Sequence, residues 1–523
     1  MRIYLVNPPM QSNHIHATFY SQTESVDITG NPGFIPNLAM PTLAALTPDD
    51  IEVEICDETV STVDFDKECD LVGITGYVTQ ARRMFELAEE FRSRGKLVAI
   101  GGPFATLSPK RCRPHADILF TGEAERTWPA FLEDFRKGEH RDAYHEAEAA
   151  DITTTPVPRM ELLHNELYTS GVMQTSRGCP FECEFCDVIV YLGRKIRYKN
   201  VDQVLREADT LYDLGYRGVF LSDDNFTANR KKATEILQAL RDWNREKQPR
   251  PVIFGTQLSI DIARNPEILA LCADAGLRIA FVGIETPNKE ALKEVKKRQN
   301  LAGNLADDLH ELMRHGILPM AGVIVGFDHD TSDVFQEQFE FLQEAATPIC
   351  GLGMLSAPEG TALEARLEKQ GRLIATRDDF YTETNIVPKQ MTQPELSHGH
   401  RWLLNRLYHP AHFLERIRTV CSHWPQGGAA HLGTTIEEAI TIREGLLKAY
   451  GALGPEFREI PDACFQAVRK ARAPTAFAVI GQALIQYKHI VALSMKAGWW
   501  EPELATSADP WESFDGARAA AGA

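Results

Sequence analysis

The chain of 523 residues is 44% hydrophobic and carries 55 Lys and Arg against 73 Asp and Glu, a net charge of −18. That length and apolar content suffice for about two to four domains with real cores, which excludes a disordered or small disulfide-stapled protein. The acidic surplus repels phosphate backbones, so nucleic acid is excluded as a substrate.

The chain opens directly on a strand-like run, and no uninterrupted apolar run reaches the roughly 20 residues of a membrane span, so no transmembrane segment is expected. Seven of the ten cysteines (Cys56, Cys69, Cys112, Cys272, Cys350, Cys421, Cys464) are scattered singly. Such placement suits small buried hydrophobes in a reducing compartment, and a cytoplasmic location is expected.

Over residues 1–140 the runs RIYLVNP, IEVEIC, DLVGIT, KLVAIGG and DILFTG alternate with helix-like segments. Near-continuous apolar strands separated by helices predict a parallel sheet covered on both faces, a doubly wound, Rossmann-like α/β domain. Ligands of such sheets bind beyond the carboxyl ends of the strands, which aligns NPPM, TGYVT, GGPFAT and TGEAE along one rim. Residues 141–165 are polar, then Pro-punctuated, and read as a linker. Over residues 166–390, VMQTS, GVFLS, VIFGT, IAFVGI, MAGVIVG and CGLGML recur with helix-length segments between them. That is the spacing of βα units; six units predict a partial (β/α)6 barrel with an open side. Residues 391–505 lose the strand pattern and place Leu396, Leu403, Leu404 and Leu407, then Leu484, Tyr487 and Val491, at helical spacing. This C-terminal domain is expected to be helical and to close the open side. Trp402, Tyr408, Trp424, Trp499 and Trp500 read as core, with a pocket wall as the rarer alternative. Residues 506–523 lack periodicity and read as a flexible tail.

The stretch RGCPFECEFCD, Arg177 to Asp187, sets Cys179, Cys183 and Cys186 on a loop after the first barrel strand. Barrels of this kind keep their chemistry at that face. Thiolates are soft ligands for zinc or iron–sulfur clusters, and a structural zinc site would require a fourth ligand that no second CxxC or nearby His pair supplies. Three thiolates instead leave one iron of a four-iron cluster open. Three clustered cysteines without a metal role are the weaker reading.

CPFECEFC is a CxxxCxxC motif with an aromatic residue before the third cysteine, and it resembles the signature of the radical S-adenosylmethionine (SAM) superfamily. MRIYLVNPP, GGPFAT and FTGEAE are similar to the cobalamin-binding subgroup. SRGCPFECEFCDVIVYLGRKIRYK, FLSDDNF and GTQLSIDIA most resemble the branch that includes hopanoid and bacteriochlorophyll C-methylases. The resemblance covers about residues 1–390.

The resemblance implies a [4Fe-4S] cluster on Cys179, Cys183 and Cys186, with SAM on the open iron beside Phe185. It places Asp223 and Asp224, where the family more often shows glycines and a Glu, at the amino group of SAM. Thr256, Gln257 and Glu285 fall toward the ribose and sulfonium, and Gly326 toward adenine. Against these stand plainer roles, helix caps for the two aspartates and a hydrogen-bonded barrel residue for Glu285. Along the N-terminal rim the resemblance implies cobalamin contacts at Asn7, Pro8, Thr75, Gly76, Tyr77, Gly101, Gly102, Pro103, Gly122 and Glu123. The D-x-H-x-x-G loop that carries a cobalt ligand in other cobalamin modules is replaced by Asn7-Pro8-Pro9-Met10. His14 and His16 lie nearby, but a lone His is more often a satisfied polar residue, and the subgroup commonly lacks the ligand.

The implied reaction is C-methylation of an unactivated carbon. One SAM methylates cobalamin, a second is cleaved at the cluster, and the resulting radical removes the hydrogen that methyl replaces. Implied partners are a small hydrophobic substrate (a lipid, tetrapyrrole or natural product) and a low-potential electron donor of flavodoxin or ferredoxin type. Two other functions remain: a radical SAM cyclase, oxidase or C–C coupling enzyme without net methyl transfer, and a non-enzymatic cobalamin-responsive protein with a structural cluster.

Overall fold

A computed structural model describes residues 1–10, 24, 26–374, 384–426, 436–512 and 514; His14 and His16 lie outside them. The first sheet is built from β1 (Arg2–Asn7), β2 (Glu52–Asp57), β3 (Leu71–Thr75), β4 (Val98–Gly101), β5 (Ile118–Thr121) and β6 (Ala143–His145). All its pairings are parallel, in the order β2-β1-β3-β4-β5-β6. Alternation along β1 explains the two covered faces: Ile3 and Leu5 join a core with Met40, Trp128 and Phe131, while Tyr4 and Val6 join another with Met84, Leu87 and Phe91. The strand order reverses direction between β1 and β3, and in such sheets that switch point opens the ligand crevice.

The expected linker contains structure. Ala143–His145 pairs with β5, and Tyr144 stacks on Phe120 with ring centroids 5.3 Å apart. Further on, Met160, Leu163 and Tyr168 are buried, and Tyr168 donates a hydrogen bond of 2.8 Å to Asp57. A short apolar pair inside a charged stretch is a weak strand signal, and only the open edge of β5 makes it one.

The second sheet follows β7 (Gly171–Met173) and a two-stranded antiparallel ribbon, β8 (Ser176–Arg177) with β9 (Arg197–Tyr198). It continues through β10 (Gly218–Leu221), β11 (Ile253–Leu258), β12 (Leu277–Glu285), β13 (Leu318–Val325) and β14 (Cys350–Met354). The order β7-β10-β11-β12-β13-β14 is sequential and parallel, a six-stranded open barrel. Its outer helices begin at asparagine caps, with Asn200, Asn229, Asn265 and Asn304 each accepting from a first-turn N–H.

The helix Gln393–Tyr408 packs beside β14, where the Tyr408 hydroxyl accepts from Cys350 N–H at 3.0 Å and donates to its carbonyl at 2.9 Å. The C-terminal helices thus cover one open edge of the barrel. Trp402, Tyr408 and Trp424 are core residues, and Trp499 and Trp500 pack against that core. The helix Ala476–Lys496 is long and apolar enough to cross a membrane, but here it is mostly buried inside the protein. The expected flexible tail is docked over its described part. His398 and the Pro510 carbonyl are 2.7 Å apart, and Trp511 packs on Phe335 and His398. Trp511 has no periodic neighbours in sequence, which is why its anchoring is invisible there.

Candidate functional site between the two sheets

The carboxyl ends of the first sheet face the mouth of the barrel across a cavity of about 1340 Å³. Asn7, Thr75, Gly76, Tyr77, Gly101, Gly102, Pro103, Gly122 and Glu123 line it from one side. Gln174, Arg177, Asp187, Tyr191, Phe220, Ser222, Asp224 and Gln257 line it from the other.

The rim leaves no room for side chains at its glycines. Gly102 has φ +94°, and a Cβ there would stand 2.1 Å from Thr75 Oγ1. Gly122 has φ +82°, and a Cβ would meet the Glu146 carbonyl at 2.2 Å. Backbone therefore forms the wall at these glycines, the surface that a large planar ligand needs for close approach. Asn7 is fixed by an Asn37 amide bond of 3.0 Å, and the Gln80 amide donates to the Pro8 carbonyl, which holds the β1 loop in place. Among the described residues the only histidine on the cavity wall is His489, on the C-terminal helix rather than on the rim.

On the barrel side the three cysteines share the loop between β8 and the short helix Val188–Tyr191. Cys183 is buried, Cys179 and Cys186 are half-buried, and all are free thiols. Gly178 opens the loop at φ +88°, where a Cβ would stand 2.9 Å from the Gly193 carbonyl. Glu184 anchors it, accepting twice from Arg366, while its N–H bonds the Val295 carbonyl at 2.9 Å. Burial pushes the Cys179 and Cys186 thiols up, so a thiolate there requires a positive partner. Iron supplies one. Among the described residues no three potential ligands converge on a single point. In a four-iron cluster each thiolate binds a different iron, so the three sulfurs need not meet at one point.

The sequence-predicted residues divide by what the chain already uses. Asp224 lies on the wall; burial raises its carboxyl to about 6 against the opposing hydrogen bond from Gly178 N–H. Gln257 also faces the cavity. Asp223 does not: its oxygens accept from Thr175 N–H at 2.6 Å, from Ser176 N–H at 3.0 Å and from the Thr175 hydroxyl. Thr256 donates to the Leu221 carbonyl, and Phe185 packs towards Phe327 at 6.4 Å. Gly326, at φ +101°, makes room for Leu396. Pro8, Phe185, Asp223, Thr256, Glu285, Gly326 and the three cysteines are not among the residues that line this cavity.

Glu285 is buried with φ +64°, a conformation costly for a non-glycine residue, and pairs with Lys297 at 2.7 Å. Burial alone would lower the Lys297 ammonium, but the Glu285 carboxylate, joined by Cys183 and Cys186 when these are thiolates, outweighs it and raises it. Gln299, two residues on, points its amide at Cys183 Sγ, 3.6 Å away. Lys297 and Gln299 were not legible as site residues; lying more than a hundred positions beyond the cysteines, they come near only through β12.

The Radical SAM superfamily model matches residues 173–342, and a Domain of unknown function (DUF4070) matches residues 361–494. An uncharacterized methyltransferase of Synechocystis sp. is 37% identical over 421 residues, 79% of this chain and 77% of that protein. The Hopanoid C-2 methylase of Rhodopseudomonas palustris is 31% identical, over 68% of this chain and 67% of the methylase. The chain belongs to the radical SAM superfamily, in its methyltransferase branch. Among solved structures, the radical SAM methyltransferase TsrM from Kitasatospora setae, determined with cobalamin and a [4Fe-4S] cluster, superposes with a TM-score of 0.62. The match is at 17% identity and covers 91% of this chain and 99% of TsrM. That likeness establishes a shared fold. As a radical SAM enzyme the chain employs a [4Fe-4S] cluster and SAM, and the CxxxCxxC loop is the donor set that suits the cluster.

Proposed function

We propose that this enzyme is a cobalamin-dependent radical SAM C-methyltransferase acting on an apolar substrate. The observation that carries the proposal is the cavity bounded by both the glycine-bearing rim of the first sheet and the barrel mouth beside the cysteine loop. When bound, the cluster and SAM supply the radical chemistry that breaks an unactivated C–H bond and cobalamin supplies the methyl group; no side chain can do either. The chain's share is placement. Gly101, Gly102 and Gly122 offer backbone for close approach of a macrocycle, and Cys179, Cys183 and Cys186 are the thiols for iron. Asp224 and Gln257, among the polar groups on the barrel wall, are the ones that would meet SAM. Arg177, between the two halves, is tied to both.

An apolar substrate is supported by the Ile35, Leu38, Leu43, Leu46 and Leu493 side of the cavity. The methylases of hopanoids and bacteriochlorophyllides among the relatives point the same way. A low-potential flavodoxin or ferredoxin is the reductant such chemistry requires. The ten free thiols suit a cytoplasmic setting.

The test is anaerobic reconstitution with iron, sulfide and hydroxocobalamin, followed by assay of lipid extracts with SAM. Retained iron and cobalamin, with a product heavier by one CH₂, are expected. A protein that keeps its cluster but holds no cobalamin, or a product without the added CH₂, would overturn the reading.

A further inference from the structure

The helix Ala476–Lys496 presents two unlike faces. One is core: Leu484 and Tyr487 are fully buried, Tyr487 donates to the Tyr408 carbonyl at 2.6 Å, and Tyr450 donates to the Leu484 carbonyl at 2.7 Å. The other runs through Gln482, Gln486, His489, Leu493 and Lys496, alternating steps of four and three that keep these residues on one stripe. His489, Leu493 and Lys496 line the cavity, while Gln486 and Gln482 continue the stripe one and two turns behind His489, off its wall.

Along that stripe buried polar atoms lack partners among the described residues. Gln486 is 1% exposed, and neither its Oε1 nor its Nε2 is hydrogen-bonded. One turn before it, Gln482 Nε2 is likewise unpaired. His489 is 1% exposed; its Nδ1 accepts from Glu24 N–H at 3.3 Å, so Nε2 carries the proton, and that donor meets no acceptor. Leaving a buried amide or imidazole N–H unpaired costs stability, and an apolar side chain at the same place would not. The formal charges nearby are matched: Lys488 pairs with Asp27 at 2.9 Å and Lys496 with Glu24 at 2.8 Å. Burial lowers His489 to about 4, so it stays neutral at physiological pH. Donors and an acceptor without net charge suit a neutral group.

We propose that His489 on the cavity wall, with the unpaired amides of Gln486 and Gln482 behind it, receives a neutral hydrogen-bonding group, a hydroxyl, carbonyl or amide, carried by an otherwise apolar substrate. The matching apolar wall is Ile35, Leu38 and Leu43, across the same cavity. The domain of unknown function thereby selects the substrate, while the barrel and the first sheet hold the chemistry. This rests on the reading of the cavity as a substrate site for radical methylation.

The experiment has two arms on the full-length, anaerobically reconstituted protein and its Gln486→Leu and His489→Leu variants. The first needs no ligand. Gln486→Leu replaces an unsatisfied amide by an apolar group of similar size, and the unfolding temperature is expected to rise by roughly 1–3 °C. A fall would mean that the amide is bonded within the protein, and it would overturn the proposal. The second arm measures binding of dehydroergosterol, a fluorescent sterol with one hydroxyl, against its 3-deoxy hydrocarbon. The parent is expected to prefer the alcohol by about tenfold, and each variant to lose most of that preference while binding the hydrocarbon as before. No preference in the parent, or an unchanged preference in both variants, would overturn it. Iron and cobalamin contents of the same samples report on the methyl-transfer reading separately. A parent that lacks cobalamin defeats that reading and leaves the melting result to decide this one.

Discussion

Arg177 Nη1, two residues before the first cysteine of the cluster loop, donates to Glu123 at the rim of the first sheet over 2.7 Å, and to Glu125 over 2.6 Å. Glu123 also accepts from Arg197 at 2.6 Å and from Ala150 N–H at 2.8 Å. Glu123, expected from the sequence as a cobalamin contact, lies on the cavity wall but spends its oxygens tying the first sheet to the strand that leads into the cysteines. This buried ion-pair hub thus ties the rim of the first sheet to the cysteine loop, alongside the Tyr168–Asp57 hydrogen bond.

Breaking that hub should loosen both halves. Glu123→Ala strips a buried partner from Arg177 and Arg197, whose side chains are 14% and 11% exposed. The expected loss of stability is about 3 kcal/mol. Cluster absorption should persist in the folded variant while bound cobalamin falls, measured by visible spectra after gel filtration. Unchanged cobalamin retention would show that the rim keeps its place without the hub.

Gly102→Ala tests the backbone wall directly. The added methyl would stand 2.1 Å from Thr75 Oγ1 at a backbone angle of φ +94°. A destabilisation of roughly 2 kcal/mol or more is expected, read as a drop in the unfolding temperature of the cobalamin-free protein. Gly95, also at positive φ but with open space around it, is the control: Gly95→Ala should cost only about 1 kcal/mol.

The Glu285–Lys297 pair should behave as a unit. Lys297→Met leaves a buried carboxylate unpaired and is expected to cost about 3 kcal/mol, whereas the double variant Glu285→Gln with Lys297→Met should recover most of that loss. A double-mutant cycle on thermal or denaturant unfolding checks it. Additive losses would mean that the two side chains stabilise the barrel independently.

Asp330 sets a pH dependence. Its Oδ2 accepts from Gly326 and Phe327 N–H at 2.8 and 2.9 Å, but burial dominates and raises the carboxyl to about 7. The folded protein thus holds a proton there that the unfolded chain releases near the ordinary carboxyl value, so this group's contribution to stability declines as pH rises from about 4 to 7. The full span of the effect is roughly 4 kcal/mol. Asp330→Asn, which keeps the accepting oxygen, should flatten that part of the stability profile. A profile identical to the parent would mean that Asp330 is ionised in the folded protein.

Replacing Cys179, Cys183 or Cys186 by Ala should abolish the cluster absorption and leave the far-ultraviolet helical signal intact, because the cores of both sheets form without these residues. Loss of the helical signal would assign the cluster a structural role.

The sequence by itself determined what local pattern can carry. Apolar runs such as RIYLVNP and MAGVIVG become buried parallel strands, helical spacing of Leu396, Leu403 and Leu407 becomes a helix face, and three cysteines in eight residues signal a soft-metal site. Each is settled by residues close together in the chain, through strand and helix periodicity and through thiolate chemistry. It also marked the rim, since Gly102 and Gly122 stand at strand ends where turns demand positive φ. Only the tertiary structure decided which polar groups are free. Asp223 and Asp224 are neighbours in sequence, yet one is consumed by Thr175 and Ser176, 48 and 47 positions away, while the other faces the cavity. The same holds for Glu123 and Arg177, 54 positions apart, for β6 within a polar stretch, and for the unpaired stripe on the C-terminal helix. Whether a carboxylate, an amide or an imidazole is spent within the fold or left for a ligand depends on hydrogen-bond partners brought from distant segments, and chain periodicity carries no information about them.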